Sequence, residues 1–167
     1  EELWDAAFWE EWHNHIDEQT LSLARTDTDF CEIGAVPIKT QYGWFLVYAH
    51  VQNYFNEHER IFGIEAVLLD TDNPQTITYR TRGPILVPEA SYEFFGIVPN
   101  ISFPSGAMIT GDKLDIYYSG GDTVVCKASV SFSHLLHSMM TTDSVLTRHS
   151  GNPILTPIKS HVWESQL

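Results

Sequence analysis

Few side chains in this 167-residue sequence stand where their type and spacing could do chemistry. Lys39 follows Pro37-Ile38 and precedes a turn, which puts a point cation at a strand end, either solvated or open to one anion. Asp122 follows Tyr117-Tyr118-Ser119-Gly120-Gly121. Those glycines either let backbone approach a ligand closely or make a plain hairpin turn. His50, at the end of the apolar run 44–51, reads as a satisfied strand-end histidine.

Other candidates fail on their context. Trp12-His13-Asn14-His15 contains an H-N-H triplet, but no ββα-metal pattern follows it, and the triplet reads as a wet helix face. His134 and His137 are spaced i,i+3 on a predicted helix, yet no third ligand lies nearby in sequence, so no metal site is expected. Glu57-His58-Glu59 reads as a solvated loop or a substrate rim, and Asn100-Ile101-Ser102 is a glycosylation sequon that matters only in a secreted chain. There is no H-E-x-x-H, no G-x-S-x-G and no phosphate-binding glycine loop.

The elements that must position these residues are short. Leu3, Ala7, Phe8, Trp12 and Ile16 recur at helical spacing and predict a helix over 3–17. From residue 33 onward the pattern predicts strands at 33–39, 44–51, 62–69, 76–80, 107–110, 114–118 and 123–129, separated by Gly, Asn, Asp and Pro. The run 44–49 is apolar on both faces and reads as a covered strand, whereas Leu114, Ile116 and Tyr118 alternate with Asp115 and Tyr117, as on a strand with one wetter face. A second short helix is predicted at 133–140. Many short strands with such punctuation mean an all-β sandwich, barrel or propeller. The recurrence of Pro84-Ile85-Leu86-Val87-Pro88 as Pro153-Ile154-Leu155-Thr156-Pro157 points to repeated units.

Composition sets the outer limits. A 43% hydrophobic share with 13% aromatics excludes disorder, and the length suits one domain that needs no staples. The net charge of −13 repels phosphate backbones and anionic lipid, so neither nucleic acid nor membrane is expected as a partner. Cys31 and Cys126 are too few for a disulfide framework, and the acidic start lacks the features of a signal peptide, so a cytoplasmic location is expected.

Five segments, in order, resemble glycoside hydrolase family 130, the β-mannoside phosphorylases and related mannosidases. They are 32–48 with Pro37-Ile38-Lys39-Thr40 and Gly43-Trp44; 63–70 with Ala66-Val67-Leu68-Leu69-Asp70; Pro84-Ile85-Leu86-Val87-Pro88; 96–106 with Val98-Pro99-Asn100; and 116–123 with Tyr117-Tyr118 and Asp122-Thr123. The resemblance covers residues 30–137 and implies an all-β chain, part of a five-bladed propeller of antiparallel blades with a short N-terminal helix outside it. It implies two parts, with 1–145 as the C-terminal half of such a domain and 146–167 as the start of a second repeat or a blade-closing strand. It further implies inverting transfer of a β-mannosyl unit to phosphate or to water, with inorganic phosphate as co-substrate and no other cofactor.

By the same resemblance, Lys39 binds phosphate, and Asp122, Tyr117, Tyr118 and His50 contact the β-mannoside. His50 departs from the family pattern by one position, which turns it to the other face of its strand. The family's general acid sits in an Asp-Pro-Arg setting that this sequence does not contain, so no catalytic residue is assigned and the chain alone is expected to be inactive. A non-catalytic carbohydrate-binding or assembly module is the alternative. Self-association, or pairing with the remainder of a longer chain, is expected of a partial domain with open strand edges.

Overall fold

A computed structural model gives the fold and describes residues 4–141; the segment 146–167 lies outside the described residues. Helices α1 (Ala6–Asn14) and α2 (Ile16–Gln19) come first. Strands β1 (Phe30–Ile33), β2 (Ile38–Thr40), β3 (Gly43–Gln52), β4 (Ile61–Leu69) and β5 (Ile77–Arg80) follow. After α3 (Ser91–Phe94) come β6 (Ser102–Thr110), β7 (Lys113–Gly120), β8 (Val124–Ser131) and α4 (Phe132–Met140). Every ladder is antiparallel: one sheet runs β1-β3-β4-β5 with β2 also on β3, and the other runs β6-β7-β8.

This arrangement overturns the expected all-β, five-bladed propeller. The described residues form a mixed α/β fold of two sheets and four helices, with no closed ring of blades. Two physical reasons stand out. The connection 81–100 contains Pro84, Pro88 and Pro99, which cannot donate to a ladder, so the second sheet starts afresh at Ser102. In addition, α4 supplies Phe132, Leu135, Leu136 and Met139 to the main core, where they meet Phe45, Ile64, Leu68, Leu114 and Ile116 from three strands. A helix therefore closes the space between the sheets, and Phe132 meets Phe45 edge-on at 5.1 Å.

The covered strand reads true: β3 is buried along eight of its ten positions, and β4 behaves likewise. The single strand expected at 33–39 is split into β1 and β2. Pro37 has no N–H, and a Cβ at Gly34 would stand 2.4 Å from the Pro104 carbonyl oxygen, so the chain is pressed against β6 at that point. On β7, Tyr117 is exposed as the alternation implies, but Asp115 is buried, bound by the Ser129 hydroxyl at 2.5 Å and by Lys113 Nζ at 2.9 Å. Helix α1 starts on Asp5, whose side chain accepts from the Ala7 N–H at 2.9 Å, and it ends at Asn14 instead of running on to 17.

Candidate functional site

The densest group of polar side chains lies on the face of β3 and β4 turned away from the main core. Tyr48 and Glu65 are direct cross-strand partners, and His50 stands two residues further along the same face. Glu65 has a fully buried side chain and accepts from Arg25 Nε at 2.9 Å, Arg25 Nη2 at 2.9 Å, the Tyr48 hydroxyl at 2.6 Å and Arg80 Nη2 at 3.3 Å. Arg25 also donates to the Thr81 carbonyl and Arg80 to the Leu23 carbonyl, so both guanidinium groups are held from two sides. His50 is 1% exposed; its Nε2 lies 3.2 Å from Asp29 Oδ2 and its Nδ1 lies 3.4 Å from Glu65 Oε1.

Burial by itself would raise the Glu65 pKa, but the hydrogen bonds from Arg25 and Tyr48 and the neighbouring His50 outweigh it and hold the carboxyl below the usual range. Burial and the Glu65 carboxylate push the Tyr48 hydroxyl well up. Cys31, the cross-strand partner of His50, is pushed to about 11, mainly by burial. A carboxylate with this many donors is a fixed anion, and it cannot give up a proton near neutral pH. The cluster clamps the segment 23–31 to the sheet and does not supply a general acid.

Lys39 stands elsewhere. It is exposed on β2, its Nζ 5.4 Å from the centre of the Trp44 ring, and it borders a hollow of about 440 Å³ whose other wall includes Asp112 and the start of α4. Asp112 accepts from the Ser131 hydroxyl at 2.7 Å and from the Ser133 N–H at 2.8 Å, and the Ser131 bond foremost keeps its pKa low. An anion in this hollow would meet one ammonium and one carboxylate.

Asp122 belongs to the turn between β7 and β8. Gly121 and Asp122 have φ of 57° and 55°, and the Thr123 N–H donates to the Gly120 carbonyl at 3.1 Å, which makes a type I′ hairpin. The glycine is required, since a Cβ on Gly121 would fall 2.6 Å from the carbonyl oxygens of Tyr92 and Phe95. Asp122 is exposed, and its Oδ1 accepts from the Ser119 hydroxyl at 3.3 Å.

The two tyrosines beside it part company. Tyr117 is 38% exposed, whereas Tyr118 is 5% exposed and donates to Glu93 Oε1 at 2.7 Å. Glu93 in turn accepts from the Glu89 and Ala90 N–H groups at 2.7 and 2.8 Å, tying α3 to β7. Burial would raise the Glu93 pKa, but those backbone donors lower it, and burial and Glu93 together push Tyr118 far up.

Lys39 and Asp122 thus flank opposite ends of β7, an eight-residue strand that spans roughly 26 Å. The hollow beside Lys39 is not lined by Asp122, Tyr117, Tyr118 or His50, and His50 sits in the Glu65 cluster. Reasoning from sequence missed that cluster. Its one local signal was Glu65, a charge in the middle of the apolar run 61–69, where burial demands a partner. The partners Arg25 and Arg80 are far away in the chain and carry no local mark.

Two sheets with exposed polar residues at their ends, and no catalytic acid among the assigned residues, define a carbohydrate-active domain only with the help of comparison. The chain belongs to glycoside hydrolase family 130, whose model, described as β-1,4-mannooligosaccharide phosphorylase, matches residues 9–141. It is 39% identical over 93 residues to the 1,2-β-oligomannan phosphorylase of Thermoanaerobacter sp. strain X514, covering 56% of this chain and 30% of that protein. It is 29% identical over 143 residues to the β-1,4-mannooligosaccharide phosphorylase of Ruminococcus albus, covering 84% of this chain and 41% of that one.

Among solved structures, the β-1,2-mannobiose phosphorylase of Listeria innocua in complex with β-1,2-mannobiose superposes with a TM-score of 0.58 at 35% identity, over 65% of this chain and 30% of that one. The chain therefore spans less than half the length of these relatives. Among the described residues, no helix is long and apolar enough to cross a membrane.

Proposed function

We propose that this chain is part of a protein that transfers a β-mannosyl unit, with inversion, to inorganic phosphate. The family match over residues 9–141 carries the reading, since its relatives are phosphorylases of β-mannosides. Lys39 contributes the anion contact: an exposed ammonium on a rigid strand lowers the cost of bringing phosphate to the reaction centre. Asp122 accepts hydrogen bonds from sugar hydroxyls, with the exposed Tyr117 ring beside it. Tyr118 holds α3 against β7 through Glu93, and His50 belongs to the Glu65 cluster. The general acid comes from another part of the intact protein, because the Asp-Pro-Arg setting is not in this sequence.

Transfer to water is the same chemistry with a different acceptor. The separation of Lys39 from Asp122 favours a second reading from another class, a carbohydrate-binding module without turnover. One assay divides them: release of mannose 1-phosphate from β-1,4- and β-1,2-mannobiose, with free mannose followed in parallel. The enzyme reading expects phosphate-dependent turnover by the intact protein and none by the isolated chain. Binding of mannosides by the intact protein without any turnover overturns it in favour of the module.

A further inference from the structure

Lys39 is oriented by a ring and not by a counter-ion. In the antiparallel register of β2 and β3 it stands opposite Trp44, and Trp44 stands opposite Leu69 on β4, so the three form one row across the sheet. The Lys39 ammonium lies 5.4 Å from the centre of the Trp44 ring, within reach of a cation–π contact. The ring itself is held. It is half-buried against the cluster that contains Leu46 and Leu69, and its Nε1 donates to the Thr71 carbonyl at 3.3 Å. The turn between the two strands is pinned as well. The Thr40 hydroxyl donates to the Gly43 carbonyl at 2.8 Å and accepts from the Tyr42 N–H at 3.1 Å. Gly43 has φ of 131°, and a Cβ there would collide with the Leu69 carbonyl oxygen.

Other lysines among the described residues are held differently. Lys113 and Lys127 both approach Asp115, at 2.9 and 3.8 Å, and that carboxylate offsets their charge. A carboxylate beside Lys39 would fix the ammonium too, but it would repel an incoming phosphate. An aromatic face attracts a cation through its quadrupole and carries no net charge, so it orients Lys39 and leaves the positive charge whole. On a chain with a net charge of −13, such a cation offsets the general repulsion of anions. A lysine stem also has several rotatable bonds, and fixing them costs entropy when an anion binds. A ring that already holds the ammonium lowers that cost before phosphate arrives.

We propose that Trp44 is a positioning residue for phosphate binding, acting through the Lys39 ammonium that it holds in place. The proposal rests on the reading of Lys39 as the phosphate contact and adds a division of labour to it. Trp44 affects the acceptor phosphate, and it affects neither the mannoside nor the chemical step.

The test is the rate of mannose 1-phosphate release by the intact protein at varied phosphate, with unfolding midpoints measured alongside. The variants are Trp44→Leu, Trp44→Phe, Lys39→Ala and the double variant of Trp44→Leu with Lys39→Ala. Trp44→Leu should raise KM for phosphate roughly 2- to 5-fold, as one exposed cation–π contact allows, with kcat and the mannoside KM unchanged. Trp44→Phe keeps a ring for the cation and should recover most of the loss. In the double variant, removing Trp44 should add nothing to the loss of Lys39. On the 167-residue chain, NMR should show the Lys39 methylene protons shifted upfield by the ring in wild type and Trp44→Phe, and not in Trp44→Leu. Absence of that shift in the wild-type chain overturns the proposal. An unchanged phosphate KM in Trp44→Leu, beside an impaired Lys39→Ala, overturns it and leaves the reading of Lys39 standing. A Lys39→Ala protein as active as wild type overturns both. A Trp44→Leu effect that persists in the Lys39→Ala background, or that falls on the mannoside KM together with the unfolding midpoint, makes Trp44 a packing residue and also overturns it.

Discussion

The Glu65 cluster and the pair formed by Lys39 and Asp122 use the same kinds of residue for opposite ends. In the cluster, Arg25, Tyr48, Arg80 and His50 surround one carboxylate, and every charge is matched within a few ångströms. Among the described residues, Lys39 and Asp122 are exposed and each has a single weak neighbour, a ring face for the one and a serine hydroxyl for the other. Charges that satisfy one another are spent on the fold, whereas lightly engaged charges on rigid strands and turns remain free to meet a ligand. On the proposed reading, the density of titratable groups is a poor guide to where this protein acts, and their lack of internal partners is a better one.

The contrast breaks most readily at Glu65. Glu65→Ala leaves two guanidinium groups and Tyr48 without their acceptor and should cost about 3 kcal/mol in urea unfolding, the lower end for a broken buried pair because both arginines can rehydrate. Lys39→Ala should stay within about 0.5 kcal/mol of wild type in the same experiment. Equal losses in the two variants would erase the distinction.

Acid sharpens it. Glu65 and Glu93 have folded pKa values held below their ordinary one, as do Asp112 and Asp115. The unfolded chain then binds more protons than the folded one, so stability rises with pH across this range. Their contribution is complete above the unfolded value of about 4.3 for Glu and 3.9 for Asp, and it is lost as pH falls through the folded values. Thermal midpoints measured from pH 6 downward should hold until about pH 5, then fall in wild type, and fall less in Glu65→Ala, which has lost one of these carboxylates.

Tyr118→Phe removes one of the three donors to Glu93 and should cost about 1 to 1.5 kcal/mol, whereas Tyr117→Phe on the exposed face should cost almost nothing. Asp122→Gly is a small expected change too. The left-handed backbone there suits glycine, which offsets the entropy it adds to the unfolded chain, so stability should move by no more than about 0.5 kcal/mol in either direction. In the intact protein the same substitution should weaken mannoside binding.

Much of the local structure was legible in the sequence. The apolar run 44–51 foretold β3, the strand pattern of 62–69 foretold β4, the alternation in 114–118 foretold β7, and Gly120-Gly121 foretold the turn after it. The arrangement was not legible. Strand spacing reports that strands exist, but whether they close into blades depends on what fills the space between sheets, and here α4 does so. The four-residue α3 and the division of β1 from β2 were missed because each rests on contacts made in the folded chain, Glu93 with Tyr118 and Gly34 with Pro104. Lys39 and Asp122 were visible through short motifs, and the Glu65 cluster was not, because Arg25 lies 40 residues away from its carboxylate.

The most direct test of the division between structural and ligand-facing charges is the phosphate-dependent rate of mannose 1-phosphate release by the intact protein carrying Lys39→Ala. Preparations with the same unfolding midpoint as wild type are the ones to compare. If Lys39 meets phosphate, the rate falls by about 100-fold while stability is untouched. A rate equal to that of wild type would contradict the account and remove Lys39 from the site.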